Sequence, residues 1–342
     1  MLRPDGMGDL LLTTGMLRQL RQHLPDTRIT LICQTRWAAW MRTCPWVDDV
    51  IDVEMSSGGF HERKRMSELL RFVKRVWPLD LEVLVQPGTL YWYAPSRTLA
   101  LFSGAPVRLC WEDPRAGVDT GRALHTRTLP YPNSWHETEK CFRMLEAIGI
   151  TSDERRLATW WTPEDASDGQ ELACRARKGR PKLVALGLGA SESSRRWPPE
   201  RFLDTVCKVG AAGDVAFLAL GGPDVIESGR WLAKKACGLV TCATDDLPLG
   251  TVWAAIANCD LYVGNDTGLM HMAAAARVPV VAVIGVAAGA PEGTRGHPSH
   301  TGPYGIPQRI VRPPAGASPA AELNAALISS DAVAKATLEL LS

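Results

Sequence analysis

Residues 259–285, CDLYVGNDTGLMHMAAAARVPVVAVIG, constrain the fold more than any other stretch of the chain. Leu261, Tyr262 and Val263 form a short apolar run that predicts a strand, and Asn265, Asp266, Thr267 and Gly268 are the turn after it. Residues 269–277 are helix formers carrying a run of alanines, and Pro279 opens a β-branched run over 280–284. That run reads as a fully buried parallel strand, so the unit is strand, turn, helix, strand. A turn of Asn, Asp, Thr and Gly supplies caps and leaves helix N–H groups pointing outward. Such an end suits a phosphate or diphosphate. An ordinary capped helix would read the same way. His271 in the first turn distinguishes this one, because it adds a donor facing the same anion.

A chain of 342 residues predicts two domains. Hydrophobic residues at 46% and charged residues at 22% leave apolar material for two cores. The net charge of +1 gives no global field for nucleic acid or an anionic membrane, so any anion site is local. Nine scattered cysteines without a C-x-x-C pair predict reduced, mostly buried thiols rather than a disulfide scaffold or a zinc site. No apolar run is long enough to span a bilayer. Tryptophan outnumbers tyrosine twelve to five, which is read chiefly as core packing, with sugar stacking as a further use.

Gly6 and Gly8 make a turn ahead of an apolar helix over 10–23, which puts Asp9 at or just before a helix N-terminus. Strands follow over 29–33, 50–53, 81–85 and 107–110, with helices over 96–103 and 138–148. The basic run 61–75 carries apolar residues at helical spacing and reads as an amphipathic helix. Tyr91, Trp92 and Tyr93 cluster at a strand's C-terminal end, where open α/β sheets bind ligands, although core packing is the safer assignment for each; residues 115–128 read as loop. The charged stretch 161–180, with Pro163 and Gly169, reads as a connection between a first domain, 1–160, and a second, 181–325; a helix closes the chain over 326–342. Strand 182–186 leads into a Gly/Ser loop, 187–197, with Ser191 and the basic pair Arg195-Arg196. Arginine there suits bidentate contact with phosphate, although without the other motifs the loop would read as a surface loop with incidental charge. Strand 215–220 ends in a Gly-Gly-Pro-Asp turn followed by Glu227, helix 251–257 leads into the opening stretch, and 287–304 is a Gly/Pro-rich loop.

Several of these motifs, in order, resemble glycosyltransferase family 9, the bacterial heptosyltransferases. They are Arg-x-Asp-x-x-Gly-Asp at residues 3–9, Pro-x-Val-Asp-x-Val at 45–50 and His136-Glu137 before a Leu-rich helix. Gly-Ala-Ser with a basic pair and Trp-Pro-x-Glu-x-Phe over 189–202 follows, then Asn-Asp-Thr-Gly-x-x-His at 265–271. The loop 287–304 departs from the family's shorter Gly-Pro-Thr pattern. The resemblance implies two Rossmann-like α/β domains facing across a cleft, the GT-B fold. The activity it implies is metal-independent, inverting transfer of a heptose or related sugar from an ADP-sugar to a glycan or lipid-linked core acceptor.

By that resemblance Asp9 is the base, with Gly8, Thr13 and His136 on the acceptor side. Arg195 assists the leaving diphosphate; Ser191, Arg196, Glu227, Asp266, Thr267, Gly268, Leu269 and His271 bind the donor. No cofactor, metal or nucleic acid is expected. The expected location is the cytoplasm, with at most peripheral association at the inner face of the inner membrane. A nucleotide-sugar epimerase of similar shape and an inactive nucleotide-sugar-binding protein are the alternatives. A dinucleotide oxidoreductase is weaker, for lack of a strand–GxGxxG–helix unit. Only Met1, Leu2 and Arg3 precede Pro4, whereas a strand runs ~5–6 residues and a central one donates every N–H. The first strand therefore reads as truncated, and upstream residues are expected to complete it and raise stability and activity.

Overall fold

The computed structural model describes residues 1–54, 65–88, 94–112, 125–132, 134–244, 246–317 and 323–342. The chain divides into two compact units, Met1–Leu157 and Ala158–Ser342. Tyr91, Trp92 and Tyr93, residues 61–64 of the basic run and most of the 115–128 loop lie outside the described residues.

The first unit carries α1 (Met7–Leu12), α2 (Thr14–His23), β1 (Thr30–Gln34), α3 (Thr35–Met41), β2 (Asp49–Val53) and α4 (Arg65–Val76). After these come β3 (Val83–Val85), α5 (Ala94–Phe102), β4 (Val107–Trp111), β5 (Arg127–Leu129) and α6 (Glu137–Ala147). Among the described residues its strand pairs are parallel, β1 with β2, β3 with β4, and β4 with β5. Residues 1–3 lie between these two groups. Leu2 N–H donates to the Val85 carbonyl at 2.9 Å, Arg3 N–H to Ile32 at 2.9 Å, and Ile32 N–H to Met1 at 2.8 Å. Pro4 falls just past the last pair, where its missing N–H costs nothing, and its carbonyl accepts from Gln34 Nε2 at 2.8 Å. Leu2, Ile32, Ile51, Phe72, Leu84 and Leu99 pack together beneath this sheet.

The single helix expected over 10–23 is two helices that meet at Thr13. The Thr13 and Thr14 hydroxyls donate to the carbonyls of Leu10 and Leu11 at 2.6 and 2.8 Å, which diverts the backbone there. Part of the expected loop 115–128 is strand, since Arg127–Leu129 pairs with β4.

The second unit carries α7 (Pro163–Arg177), β6 (Lys182–Gly187), α8 (Pro199–Ala212), β7 (Val215–Leu220), α9 (Ile226–Lys235) and β8 (Val240–Ala243). It continues with α10 (Leu249–Ala257), β9 (Leu261–Asn265), α11 (Gly268–Ala275), β10 (Val280–Val283), α12 (Pro298–Thr301), β11 (Gln308–Val311) and α13 (Ser330–Leu341). Its sheet is parallel in the order β11-β10-β9-β6-β7-β8, so β9 and β6 lie at the centre. Val184, Phe202, Phe217, Val263, Val283 and Val333 are buried in its core.

Most of the stretch read as a connection, 161–180, is helix α7 of this unit. Pro163 and Gly169 are helix-compatible where they stand. Pro163 opens the first turn behind Thr162, whose hydroxyl accepts from Asp165 N–H at 3.1 Å. Gly169 is where α7 meets α10: a Cβ there would lie 2.6 Å from Ala254 Cβ and 2.7 Å from Ala255 N. Charge on the exposed side of a packed helix reads in sequence as linker character.

Gly15 makes a similar close approach in the first unit. A Cβ on it would stand 2.2 Å from the Arg156 carbonyl oxygen and 2.9 Å from Phe142 Cζ. Gly15→Ala must therefore push α2 off its neighbours, and overpacking of this kind costs about 1–3 kcal/mol. A urea titration followed by circular dichroism should show a lower midpoint, and a wild-type midpoint would disprove the contact.

Candidate active site

The turn after β9 is built around Asn265, which is fully buried. Its Oδ1 accepts from Trp197 N–H at 3.0 Å, and its Nδ2 donates to the carbonyls of Leu188 and Gly189 at 2.8 and 3.3 Å. One side chain thus fixes both ends of the loop after β6 against the end of β9. The central strands make room here through paired glycines. Gly187 and Gly264 stand opposite each other, and a Cβ on Gly187 would fall 1.8 Å from the Tyr262 hydroxyl oxygen. The phenol lies over both glycines. Its burial drives its pKa upward against the opposing effect of Thr267, so it stays a neutral phenol.

Asp266 and Thr267 lead into α11. Thr267 takes the N-cap position without a side-chain cap, and Met270 N–H bonds back to the Thr267 carbonyl at 3.1 Å. The amides of Gly268 and Leu269 stand at the helix start, outside its internal bonding. Arg195 reaches this point from a short 3₁₀ turn, Ser193–Arg195, and its Nη1 meets Asp266 Oδ2 at 2.9 Å. The Arg195 Nε is buried and has no hydrogen-bond partner among the described residues.

Arg196 points elsewhere. It donates to the Ala190 carbonyl at 2.8 Å and to Asp224 Oδ2 at 2.7 Å, in the turn after β7. Of the other donor-side residues, Ser191 and Glu227 are exposed, Glu227 in the first turn of α9. Leu269 and His271 are buried in α11. Loop 287–304 contains α12, and Arg295 pairs with Glu192 in the loop after β6.

In the first unit, Gly8 and Asp9 lie inside the first turn of α1 rather than ahead of it. Asp9 Oδ2 accepts from Gly6 N–H at 3.2 Å, which closes the turn in a capping arrangement. Arg3 holds the same residue from beneath, through Nε to the Asp9 carbonyl at 3.2 Å and Nη2 to Oδ1 at 3.5 Å. The Asp9 side chain remains 42% exposed while that of Arg3 is 2% exposed, so a fixed carboxylate faces solvent above a buried cation.

Arg3 Nη1 also meets Asp5 at 3.2 Å. Burial raises the Asp5 pKa; Arg3 pulls the other way, while Asp9 and Glu137 add to the rise, and burial prevails.

His136 caps α6, its Nδ1 accepting from Thr138 N–H at 3.2 Å. Glu137 is not the solvated carboxylate that a bare cap would leave. It is buried against Lys140 Nζ at 2.7 Å, and Lys140 also donates to the Tyr131 hydroxyl at 2.6 Å. Thr13, expected on the acceptor side, is fully buried with its hydroxyl bonded to Leu10, so it serves the helix junction instead.

Sequence reasoning missed the clamp made by Asn265, the ring of Tyr262 and the pairing of Arg3 with Asp5. The Arg-x-Asp part of the first motif was the available signal for the last. Five cysteines are buried, and burial pushes their thiols up to about 12, which leaves them inert. Among the described residues no group of three or more His, Cys, Asp or Glu could hold a metal ion, and no helix is long and apolar enough to cross a membrane.

Residues 93–325 match the sequence model of glycosyltransferase family 9 (heptosyltransferase). Lipopolysaccharide heptosyltransferase 2 of Salmonella typhimurium is 23% identical over 324 residues, covering 90% of this chain and 86% of that protein. Among solved structures, a family 9 glycosyl transferase from Veillonella parvula superposes with a TM-score of 0.78 at 21% identity, over 99% of this chain and 95% of that one. An Escherichia coli heptosyltransferase solved with ADP-2-deoxy-2-fluoro heptose gives 0.72 at 18%, over 100% and 98%. The fold they share with this chain is the GT-B arrangement of two Rossmann-like α/β domains. The chain belongs to glycosyltransferase family 9 and is a glycosyltransferase.

Proposed function

We propose that this enzyme transfers a heptose, with inversion, from ADP-L-glycero-β-D-manno-heptose to a lipid-linked inner-core glycan. The observation that carries the donor half is the buried, unpartnered Nε of Arg195 beside the open N-terminus of α11. Asp266 occupies Nη1 of that guanidinium. The Nε–Nη2 edge is left to pair with an oxygen-rich anion, and bidentate phosphate contact is the chemistry such an edge performs best. The Gly268 and Leu269 amides supply donors from the other side. An E. coli protein of the same fold, solved with an ADP-heptose analogue, supports the adenine nucleotide and the heptose. Arg196, tied to Asp224 and Ala190, holds the loop rather than the phosphate.

For the acceptor half, Asp9 is the base. The acceptor hydroxyl oxygen forms a bond to the anomeric carbon while its proton passes to the Asp9 carboxylate. The bond from that carbon to the diphosphate oxygen breaks on the opposite face, and ADP departs with the electron pair. Arg195 and the α11 amides meet the charge that develops on the leaving oxygen, which is where preorganised donors contribute most. With that charge met by the chain's own groups, turnover is proposed to need no divalent ion. The acceptor's lipid places the enzyme at the membrane surface as a peripheral partner.

Asp9→Asn is expected to lower transfer by ~10²–10⁴-fold, the usual loss for a general base, while ADP affinity by calorimetry stays near wild type. Normal turnover in this variant would remove Asp9 from the mechanism. Arg195→Ala should weaken ADP binding far more than adenosine binding, since only ADP carries the diphosphate; equal losses would place Arg195 outside the phosphate site. EDTA should leave the rate unchanged, and a loss restored by magnesium or manganese would show that a divalent ion takes part.

A further inference from the structure

The hydroxyl oxygens of Tyr262 and Thr267 are buried, and neither completes a hydrogen bond among the described residues. The phenol lies over Gly187 and Gly264, which belong to the two central strands, β6 and β9. At both glycines the atom nearest an added Cβ is the phenol oxygen, at 1.8 and 2.6 Å. The space is therefore kept for the hydroxyl as much as for the ring. Thr267 follows Gly264 closely in the chain and is the hydrogen-bonding side chain that acts on the phenol. The two hydroxyls are thus polar neighbours, short of a well-aligned bond. Hydroxyls rotate to suit a partner, and without each other both would be stranded in the interior.

Thr267 has a second use open to it. Its backbone is extended (φ −148°, ψ 175°), as that of a capping residue is, yet its side chain caps nothing. Thr162 shows the ordinary outcome at the start of α7, where its hydroxyl accepts from Asp165 N–H at 3.1 Å. In the same role the Thr267 oxygen would accept from Leu269 or Met270 N–H. Its lone pairs would then lie over the end of α11, occupying a donor and opposing an anion there.

We propose that Tyr262 is a positioning residue for the donor: its phenol engages the Thr267 hydroxyl beneath the turn, keeps it from capping α11, and so leaves the helix end open to the diphosphate. This rests on the α11 end being the diphosphate site. Tyr262 does not touch the ligand; it acts through Thr267.

Tyr262→Phe keeps the ring and removes the competitor for the Thr267 hydroxyl. With that oxygen released to cap the helix, hydrogen exchange of the Leu269 or Met270 amide should slow. ADP affinity by calorimetry should fall about tenfold, the scale of one charge-assisted hydrogen bond, with adenosine affinity unchanged. In a Thr267→Ala background the same substitution should cost no further ADP affinity, because no hydroxyl is left to move. A packing defect would instead weaken ADP binding equally in both backgrounds, and that result would overturn the proposal. Wild-type exchange at both amides with wild-type ADP affinity would overturn it too. Slowed exchange with unchanged ADP affinity is a different failure: it would remove the diphosphate from the α11 end, and the proposal with it.

Discussion

The carboxamide of Asn265 is the contact on which the candidate site of the second unit depends. It needs a donor and an acceptor at once, because its Nδ2 meets two carbonyls and its Oδ1 meets an amide, all in a fully buried setting. Aspartate would lose the donors, and an apolar residue would strand all three backbone groups, each at about 1–3 kcal/mol. The loop after β6 has little regular structure of its own. Its geometry comes from this clamp and from Trp197, buried against Phe202 with its indole N–H donating to Ile328 at 3.0 Å. Arg195 stands two residues before Trp197, so its reach to Asp266 is fixed by packing in the core. Rigid delivery of a long cationic side chain lowers the entropy lost when it meets a ligand.

The first unit solves a different problem with similar means. Its exposed carboxylate, Asp9, sits in the first turn of a short helix, and a turn of that length holds poorly by itself. It is anchored because the segment just before it, residues 1–3, pairs on both sides with β1 and β3. Arg3 leaves that segment and binds the Asp9 carbonyl and carboxylate from within the protein. Strand pairing thus determines where the Asp9 carboxylate points, and Gly88 leaves the space the guanidinium occupies.

Much of this was legible in the sequence, and what was not shares one cause. The parallel strands over 215–220 and 280–284 and the closing helix came from apolar runs and spacing, signals that local chemistry sets. The family followed from the motifs around Asp9, Arg195 and Asn265–His271 in that order. The errors concern residues whose role depends on a distant partner. Pro163 and Gly169 read as breakers because nothing local tells that Gly169 faces α10. Thr13 read as a ligand contact because its bond to Leu10 depends on where the helix divides. Asp5 was overlooked because its meaning lies in sharing Arg3 with Asp9, and the burial of Glu137 was not legible because its partner Lys140 is visible in sequence only as an ordinary helical pair.

The pairing of Arg195 with Asp266 has a consequence for selectivity. A cation already held by a buried carboxylate presents little net charge to solvent, so it attracts anions at long range only weakly. What remains is directional: one guanidinium edge with a buried N–H lacking a partner, and two helix amides. A carboxylate or a single phosphate could satisfy only part of that set. A diphosphate offers enough oxygens, spaced widely enough, to meet the guanidinium edge and the helix end together. Asp266 also stands at the N-terminal end of α11, whose dipole stabilises its charge. On the proposed reading the ion pair need not break when a diphosphate binds, and the ligand's contribution would be to satisfy the buried N–H of Arg195. Affinity at such a site follows the number of bonds completed, which is why it would separate nucleoside diphosphates from nucleosides more sharply than a bare positive patch does.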